Sequence, residues 1–263
     1  MKKTSGVLIP LILVSLLTGC AELFEFNLFR ALDPIKMPDA AMLSEMESEE
    51  GVSGVLDYLE AELGSPSFIE KLDEEPGSYD AIEDYLIDHK GNSEDGQKAT
   101  LLLADLYLKT SGGEEFVNNS ITAAINGDFD GLTGQNAADF LEGFLSGLIP
   151  DSALSSFSAF TDFLDALSAA NQEYHDFAAS LDLVAPVDEP DNVPDNVNLG
   201  DVVQKAIITQ VVVEARSVVS DADLYTIAQG GNVTAGDFNS NPLEDLDLKL
   251  IMNAAGIDES NFQ

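Results

Sequence analysis

Basic residues are scarce in this chain. Its 11 lysine and arginine residues face 48 aspartate and glutamate residues, which gives a formal net charge of −37. Nucleic-acid binding needs clustered basic side chains against phosphates, so this composition argues against it. The acidity is compatible with a saline habitat, a bound cation or a basic partner, and a solvated acidic surface that aids solubility is the simplest interpretation.

The side chains that most often carry catalysis are also few. There is one cysteine, which excludes an internal disulfide, and there is no tryptophan. The two histidines, His89 and His175, lie far apart near predicted helix ends, where a solvated histidine is ordinary. No His-Glu-x-x-His, Gly-x-Ser-x-Gly or Gly-x-x-x-x-Gly-Lys pattern occurs. The sequence therefore predicts a protein that is not an enzyme.

The N-terminus has the layout of a secretory signal peptide. Lys2 and Lys3 precede an apolar run over Val7–Leu17, which at about eleven residues is too short to span a bilayer. The run ends in Leu17-Thr18-Gly19-Cys20. These four residues resemble the bacterial lipobox, Leu-(Ala/Ser/Thr)-(Gly/Ala)-Cys. The resemblance covers residues 1–20 only.

The lipobox resemblance implies a location. It implies that residues 1–19 are removed and that the Cys20 sulfur is acylated, with palmitate among the attached chains. Two or more acyl chains anchor a protein durably, so a bacterial membrane is the first expected partner. Ala21 is not the aspartate that retains enteric lipoproteins in the inner membrane, which favours the outer membrane. Whether the protein faces the periplasm or the outside stays open.

The segment 20–38 is expected to be a lipidated tether or a docking helix. Its part 21–32 is too apolar for a solvated tether. A helix at the lipid interface and a first core helix both fit, and Glu22 and Glu25 favour docking because they would resist an anionic surface.

Apolar residues spaced three and four apart predict helices over most of the remaining chain. The sequence predicts a helical domain over 39–183, an acidic linker or loop with three prolines over 184–200, and C-terminal helices over 201–263 on the same domain. The fold class is predicted as all-α, with antiparallel helical hairpins. The β-branched run Val202–Val219 lacks strict alternation, so it is predicted as a buried helix rather than a strand.

Several local features follow from turn and cap residues. A helix opening at Ala41 is expected to fade in the acidic run Glu45–Glu50, before a second helix ends at Gly64. Pro76-Gly77 is predicted as a turn followed by a helix capped by Ser78. Ser111–Gly113 is predicted as a helix–helix turn. Ala153–Leu167 is predicted as one helix. Its aromatic stripe, Phe157, Phe160 and Phe163, is predicted to lie in the core or to line the bottom of an apolar groove.

Residues 97–125 resemble a tetratricopeptide repeat. Leu103-Ala104, Tyr107 and Ala123 suit the packing positions of that motif, whereas Phe116 stands where the family keeps a small residue. The resemblance implies a possible repeat array that binds other proteins. Helical hairpins without repeat ancestry predict the same pattern.

A half-motif for calcium follows this segment. Asn126, Asp128 and Asp130, followed by Gly131, match the first half of an EF-hand loop. The twelfth position is Ala137 rather than a carboxylate. The same residues are also ordinary turn chemistry, so calcium binding is one of two interpretations.

The functional expectation is a membrane-anchored, non-catalytic binding or assembly module. Tyr79, Tyr85 and Tyr107 are the predicted partner-binding residues on a protein-binding face over 78–126, because a few desolvated aromatic anchors usually supply affinity. The alternative is a helical lipoprotein component of a solute-uptake system, which holds a small apolar or cationic ligand.

Cys20→Ser is expected to abolish incorporation of labelled palmitate, because the acylated sulfur is gone, and to leave an uncleaved or soluble precursor. The measurement is metabolic labelling followed by membrane fractionation. Thr18→Ser keeps the lipobox consensus and should label like the wild type. Normal labelling of the Cys20→Ser protein would contradict lipidation at this residue.

Overall fold

Helices make up the regular structure of the described residues. The computed structural model describes residues 36–126, 145, 147–182, 193–194, 197–231 and 233, and these contain no strand. The predicted all-α class is confirmed. The helices are α1 (Ala40–Leu63), α2 (Pro66–Glu74), α3 (Pro76–His89), α4 (Glu94–Ser111), α5 (Gly113–Asn126), α6 (Phe157–Asp182), α7 (Leu199–Val218) and α8 (Asp221–Ala228), with a 3₁₀ turn at Ala153–Ser155.

Short polar side chains start several of these helices. The Asp39 carboxylate accepts from the Met42 amide at 2.8 Å, and the Ser93 hydroxyl accepts from the Gly96 amide at 3.1 Å. The Ser220 hydroxyl accepts from the Asp223 amide in the same way at 3.2 Å. Each bond satisfies an N–H that the first turn of a helix leaves without a partner. The local sequence therefore fixes where α1, α4 and α8 begin.

Two glycines mark breaks between helical segments. Gly51 has φ +79° and kinks α1 just before the second predicted helix, but the acidic run Glu45–Glu50 is helical, so the fading predicted over that run is wrong. Gly112 has φ +80° and ends α4, which confirms the turn predicted at Ser111–Gly113. Glycine adopts this left-handed conformation at little cost because it has no Cβ.

Two predicted boundaries are wrong. Pro76 does not form a turn before α3 but is its first residue, and Ser78 is buried inside the helix rather than capping it. Proline suits this position because the first helical residue has no helical partner for its N–H. The predicted helix from Ala153 is interrupted, since the 3₁₀ turn comes first and α6 begins only at Phe157.

Helix α4 lies at the centre of the packing. It contacts α1, α2, α3 and α5, and its most extensive contact is with α6. Helix α7 packs on α6 and α5, and α8 packs on α6. Val202, Val203 and Val212 are buried, so burial decides the helical state of a run that propensity alone would favour as a strand.

Most of the predicted aromatic stripe of α6 is core. Phe160 and Phe163 are buried, and Phe163 meets Phe116 edge to face, with ring centroids 5.7 Å apart. Phe157 is instead 47% exposed, because it is the first residue of α6 and only its ring edge approaches Tyr225. Phe116 is fully buried at the position that tetratricopeptide repeats keep small, and the repeat arrangement stays a prediction.

Several predicted features lie outside the described residues. They are the signal peptide with Cys20, the segment 21–32, the calcium residues Asp128 and Asp130, most of the predicted linker, and the last part, 234–263, of the range predicted as C-terminal helices. Within the described helices, none combines the length and the apolar character needed to cross a membrane.

Four basic residues each join two carboxylates. Lys90 binds Glu173 and Asp176, Lys98 binds Asp57 and Glu60, Lys205 binds Asp105 and Asp201, and Arg216 binds Asp165 and Asp221, with N–O distances of 2.5–3.0 Å. We call these four the bridging cations.

Each bridging cation connects different parts of the fold. Lys90 follows α3 and reaches α6, Lys98 joins α4 to α1, Lys205 joins α7 to α4, and Arg216 joins α7 to α6 and α8. Their side chains are only 13–23% exposed. Their carboxylate partners range from 8% to 68% exposed. The pairs with less exposed carboxylates, such as Lys205 with Asp105 at 28%, are worth more than fully exposed surface pairs, which contribute about 0–1 kcal/mol.

Lys205→Met is expected to lower the free energy of unfolding by about 1–3 kcal/mol, because it leaves Asp105 and Asp201 without their shared cation. The measurement is urea denaturation followed by circular dichroism. Lys36→Met removes the same charge from an exposed position before α1 and should change stability by less than about 0.5 kcal/mol. Equal effects of the two substitutions would show that the loss reflects net charge rather than the bridge.

Candidate functional site

A partly open cavity of about 230 Å³ is lined by residues of α1, α4, α6 and α7. Its charged lining consists of three carboxylates and two ammonium groups. Its remaining lining is mainly aliphatic, with one tyrosine, Tyr174, and one amide, Asn198. The lining residues are Glu60, Lys98, Leu101, Leu102, Asp105, Tyr174, Val197, Asn198, Asp201, Val202 and Lys205.

Tyr174 is the unusual member of this lining. Its side chain is 2% exposed, and its hydroxyl has no hydrogen-bond partner among the described residues. Buried polar groups are usually paired, so an unpaired hydroxyl beside a cavity calls for an explanation. The Gln97 amide is also buried without a partner in the described part of the chain, but Gln97 does not line the cavity.

Burial keeps the Tyr174 hydroxyl protonated. Burial, followed by the nearby Asp105 and Asp201 carboxylates, holds the pKa of Tyr174 well above its usual value of 10.0. The hydroxyl is therefore neutral at physiological pH. It can donate one hydrogen bond and accept others.

Two bridging cations, Lys98 and Lys205, are part of the cavity wall. Burial lowers the pKa of Lys98, but its hydrogen bonds to Asp57 and Glu60 outweigh burial and raise that pKa above 10.5. Burial also lowers the pKa of Lys205. The charges of Asp105 and Asp201, together with the hydrogen bonds that these carboxylates accept from Lys205, outweigh burial, so the net effect raises the pKa of Lys205 above 10.5. Both lysines are therefore charged, and both charges are already offset by carboxylates.

Helix geometry explains how these residues come together. Lys98, Leu102 and Asp105 lie three and four apart on α4, so they share a face. Asp201 and Lys205 are one turn apart at the start of α7, where the Asn198 side chain caps the helix through the amides of Gly200 and Asp201. Tyr174 enters from α6, which packs against both helices.

A second concavity is an open groove of about 620 Å³ beside α2, α3, α4 and α6. Its wall includes Asp73, Tyr79 and Lys109, together with Gly112 just after α4 and Asp162 in the second turn of α6. Burial raises the pKa of Asp73, and burial together with Glu83 and Asp80 raises the pKa of Tyr79 to about 12. The groove is a candidate surface for a larger partner.

The three tyrosines predicted as partner anchors have different surroundings. Tyr79 is half-buried and lines the groove. Tyr107 is half-buried, and its pKa is raised by burial and then by a hydrogen bond to Glu83. Tyr85 is only 8% exposed and stacks on His89 at 4.1 Å, so its expected exposure is wrong. It lies on the buried face of α3 together with Ile82 and Leu86.

The two histidines are held by structural contacts. His89 Nδ1 lies 2.7 Å from the Tyr85 carbonyl oxygen, and His175 Nε2 lies 3.1 Å from the Gln210 side-chain oxygen. His89 Nε2 also lies 3.6 Å from Glu47. Neither histidine lines the two concavities described above.

The predicted calcium site is not covered by the structure. Asn126 is the last residue of α5, and Asp128 and Asp130 lie outside the described residues. Elsewhere in the described ranges, no group of three or more histidine, cysteine, aspartate or glutamate side chains is placed to hold a metal.

Sequence reasoning missed the cavity and its tyrosine. The spacing of Asp201 and Lys205 indicates an ion pair within one helix, but nothing local to Asp105 indicates a bond to α7. Tyr174 stands in a pattern typical of a core position, and burial alone does not distinguish a paired hydroxyl from an unpaired one.

We compared the chain with known protein families, curated proteins and solved structures. No protein-family model, no curated protein and no solved structure matches this chain.

Tyr174→Phe is expected to raise the free energy of unfolding of the ligand-free protein by about 1–3 kcal/mol, because it removes a buried hydroxyl that has no partner. Tyr225→Phe is the matched control, since the Tyr225 hydroxyl donates to the Leu154 carbonyl oxygen at 3.3 Å and its loss should not stabilise the protein. The measurement is urea denaturation of both variants.

Comparison of the wild type with Tyr174→Phe also predicts a pH dependence of stability. Because folding raises the pKa of Tyr174, the protonated hydroxyl favours folding below the unfolded pKa of about 10. The wild type loses this stability as pH rises above 10. The advantage of Tyr174→Phe over the wild type should therefore be flat below pH 10 and widen above it. A variant less stable than the wild type would show that the hydroxyl has a partner.

Proposed function

We propose that this protein is a lipid-anchored, non-catalytic binding module of the bacterial cell envelope. The observation that carries the anchor is the Leu17-Thr18-Gly19-Cys20 motif after a short apolar run. The outer membrane is the favoured location, because Ala21 follows Cys20. The lipid membrane is then one partner, reached through acylated Cys20.

Both described histidines have hydrogen-bond partners that position their rings, the Tyr85 carbonyl oxygen on the same helix for His89 and the Gln210 side chain on α7 for His175. The groove and the cavity are both concave and combine polar with apolar walls, which is the usual form of a binding site. A weak calcium site at Asn126, Asp128 and Asp130 stays a separate proposal.

The groove is the surface that we assign to a protein partner. Of the three tyrosines expected to anchor a partner, Tyr79 lies in its wall. Tyrosine combines a large apolar ring with a hydroxyl, and such residues supply much of the energy of many interfaces. Membrane anchoring raises the effective concentration of the module near partners on the same surface.

A second candidate function is a small-ligand carrier of a solute-uptake system. Such a carrier needs a concave site with apolar walls and a few polar groups, and the partly open cavity lined by Tyr174 combines these features. A carrier should purify with bound small-molecule mass, whereas an assembly module should purify with another protein.

A photo-crosslinking residue at position 79 is expected to capture a protein in the native membrane, because Tyr79 lines the groove. Position 87 on the same helix is the matched control, since Ile87 is 48% exposed but does not line the groove. The measurement is mass spectrometry of the adducts. Capture of lipid alone at position 79, or the same proteins at both positions, would contradict the groove as a protein-binding surface.

A further inference from the structure

We call residues 40–50 of α1 the strap. We propose that the strap opens at Gly51 and exposes the stacked rings of Tyr85 and His89, while residues 52–63 of the same helix stay in the core. The proposal goes beyond the binding function, and it does not depend on the lipid anchor, the groove or the cavity.

Two glycines build a break into α1 directly after the strap. Gly51 has φ +79° and ψ 175°, a backbone conformation that is essentially restricted to glycine. A Cβ at Gly54 would lie 2.5 Å from the Cβ of Glu50, so the kinked backbone needs a glycine at this position too. The break is therefore specified by the sequence, and it separates the strap from residues 52–63.

The two parts of α1 are held very unequally. Lys98 of α4 binds Asp57 and Glu60 in the second part. That part also buries four apolar side chains to 0–2% exposure, namely Val55, Leu56, Leu59 and Leu63. In the strap, Leu43 is the one buried side chain. Segments with few buried apolar contacts open at a low free energy, so the strap is the part of α1 that opens first.

The strap has little stability of its own. It contains no basic residue, and its four glutamates include pairs spaced three and four apart, where like charges weaken a helix; they are Glu45, Glu47, Glu49 and Glu50. Isolated helices shorter than about 12 residues are also marginal in water. A detached strap therefore unfolds, and its amide hydrogens then exchange with solvent.

The strap contacts an aromatic pair on α3. The Tyr85 and His89 rings stack with their centroids 4.1 Å apart, and Glu47 Oε1 lies 3.6 Å from His89 Nε2. Burial and then the nearby Glu47 carboxylate raise the pKa of Tyr85 to about 12. Tyr85 is 8% exposed while the strap is in place. Opening at Gly51 takes Glu47 away from this pair and gives solvent access to the rings.

Hydrogen exchange of the full-length protein, resolved to single amides, tests the hinge. We expect the amides of residues 44–50 to share one opening rate after correction for their intrinsic exchange. The amides of residues 55–63 should exchange at least about tenfold more slowly, with the step at Gly51. Fraying of a helix end instead gives rates that rise gradually toward Ala40, and a gradual rise would overturn the proposal.

Leu43→Ala tests whether the strap opens alone. It removes the buried side chain of the strap, so it should speed exchange of residues 44–50 by about tenfold or more. Exchange of residues 55–63 should stay within about twofold. Ile87→Ala is the matched control, because Ile87 is 48% exposed and its loss should change neither segment. Equal acceleration of both segments by Leu43→Ala would show that α1 opens as one unit.

Tyrosine nitration, located by mass spectrometry, tests what the strap covers. Tyr85 should react at least about fivefold faster in Leu43→Ala and in Gly51→Ala, since a Cβ at position 51 strains the closed backbone. Tyr174 is the internal control, because it is 2% exposed and should stay unreactive. Circular dichroism checks that both variants fold. Unchanged reactivity of Tyr85 in both variants would overturn the proposal.

Discussion

The sharing of each bridging cation between two carboxylates is the interaction on which the packing of this acidic chain depends. With 48 acidic residues, carboxylates on neighbouring helices repel one another unless a positive charge lies between them. Lys90, Lys98, Lys205 and Arg216 occupy such positions at N–O distances of 2.5–3.0 Å. These distances are far shorter than the screening length of about 8 Å at physiological salt, so the bridges act where screening is least effective.

The cavity is a consequence of the same arrangement. Lys98 ties α4 to α1 and Lys205 ties α4 to α7, so the polar ends of two bridges converge on one side of α4. Apolar packing elsewhere on α4 is continuous, with Leu103, Ala104 and Leu108 buried. The Tyr174 hydroxyl, which is buried and has no partner among the described residues, belongs to a residue that lines this cavity.

The sequence predicts the helices well and the site poorly, for physical reasons. Spacing of three and four residues and turn residues are local information, and they give the all-α class and the turn at Gly112. The turn predicted at Pro76 is wrong because proline occurs both in turns and at the first position of a helix. The bond from Lys205 to Asp105 joins residues 100 apart and cannot be read from local pattern. Tyr85 shows the same limit, because only packing decides which face of α3 is buried.

A double-mutant cycle between Lys205 and Asp105 tests this account most directly. Lys205→Met, Asp105→Asn and the double variant are compared with the wild type by urea denaturation at low and at physiological salt. The bridging arrangement predicts a coupling free energy of about 1 kcal/mol or more that largely survives physiological salt, because the pair is shielded. A coupling free energy near zero, or one that disappears at physiological salt, would contradict the claim that the bridging cations hold the helices together.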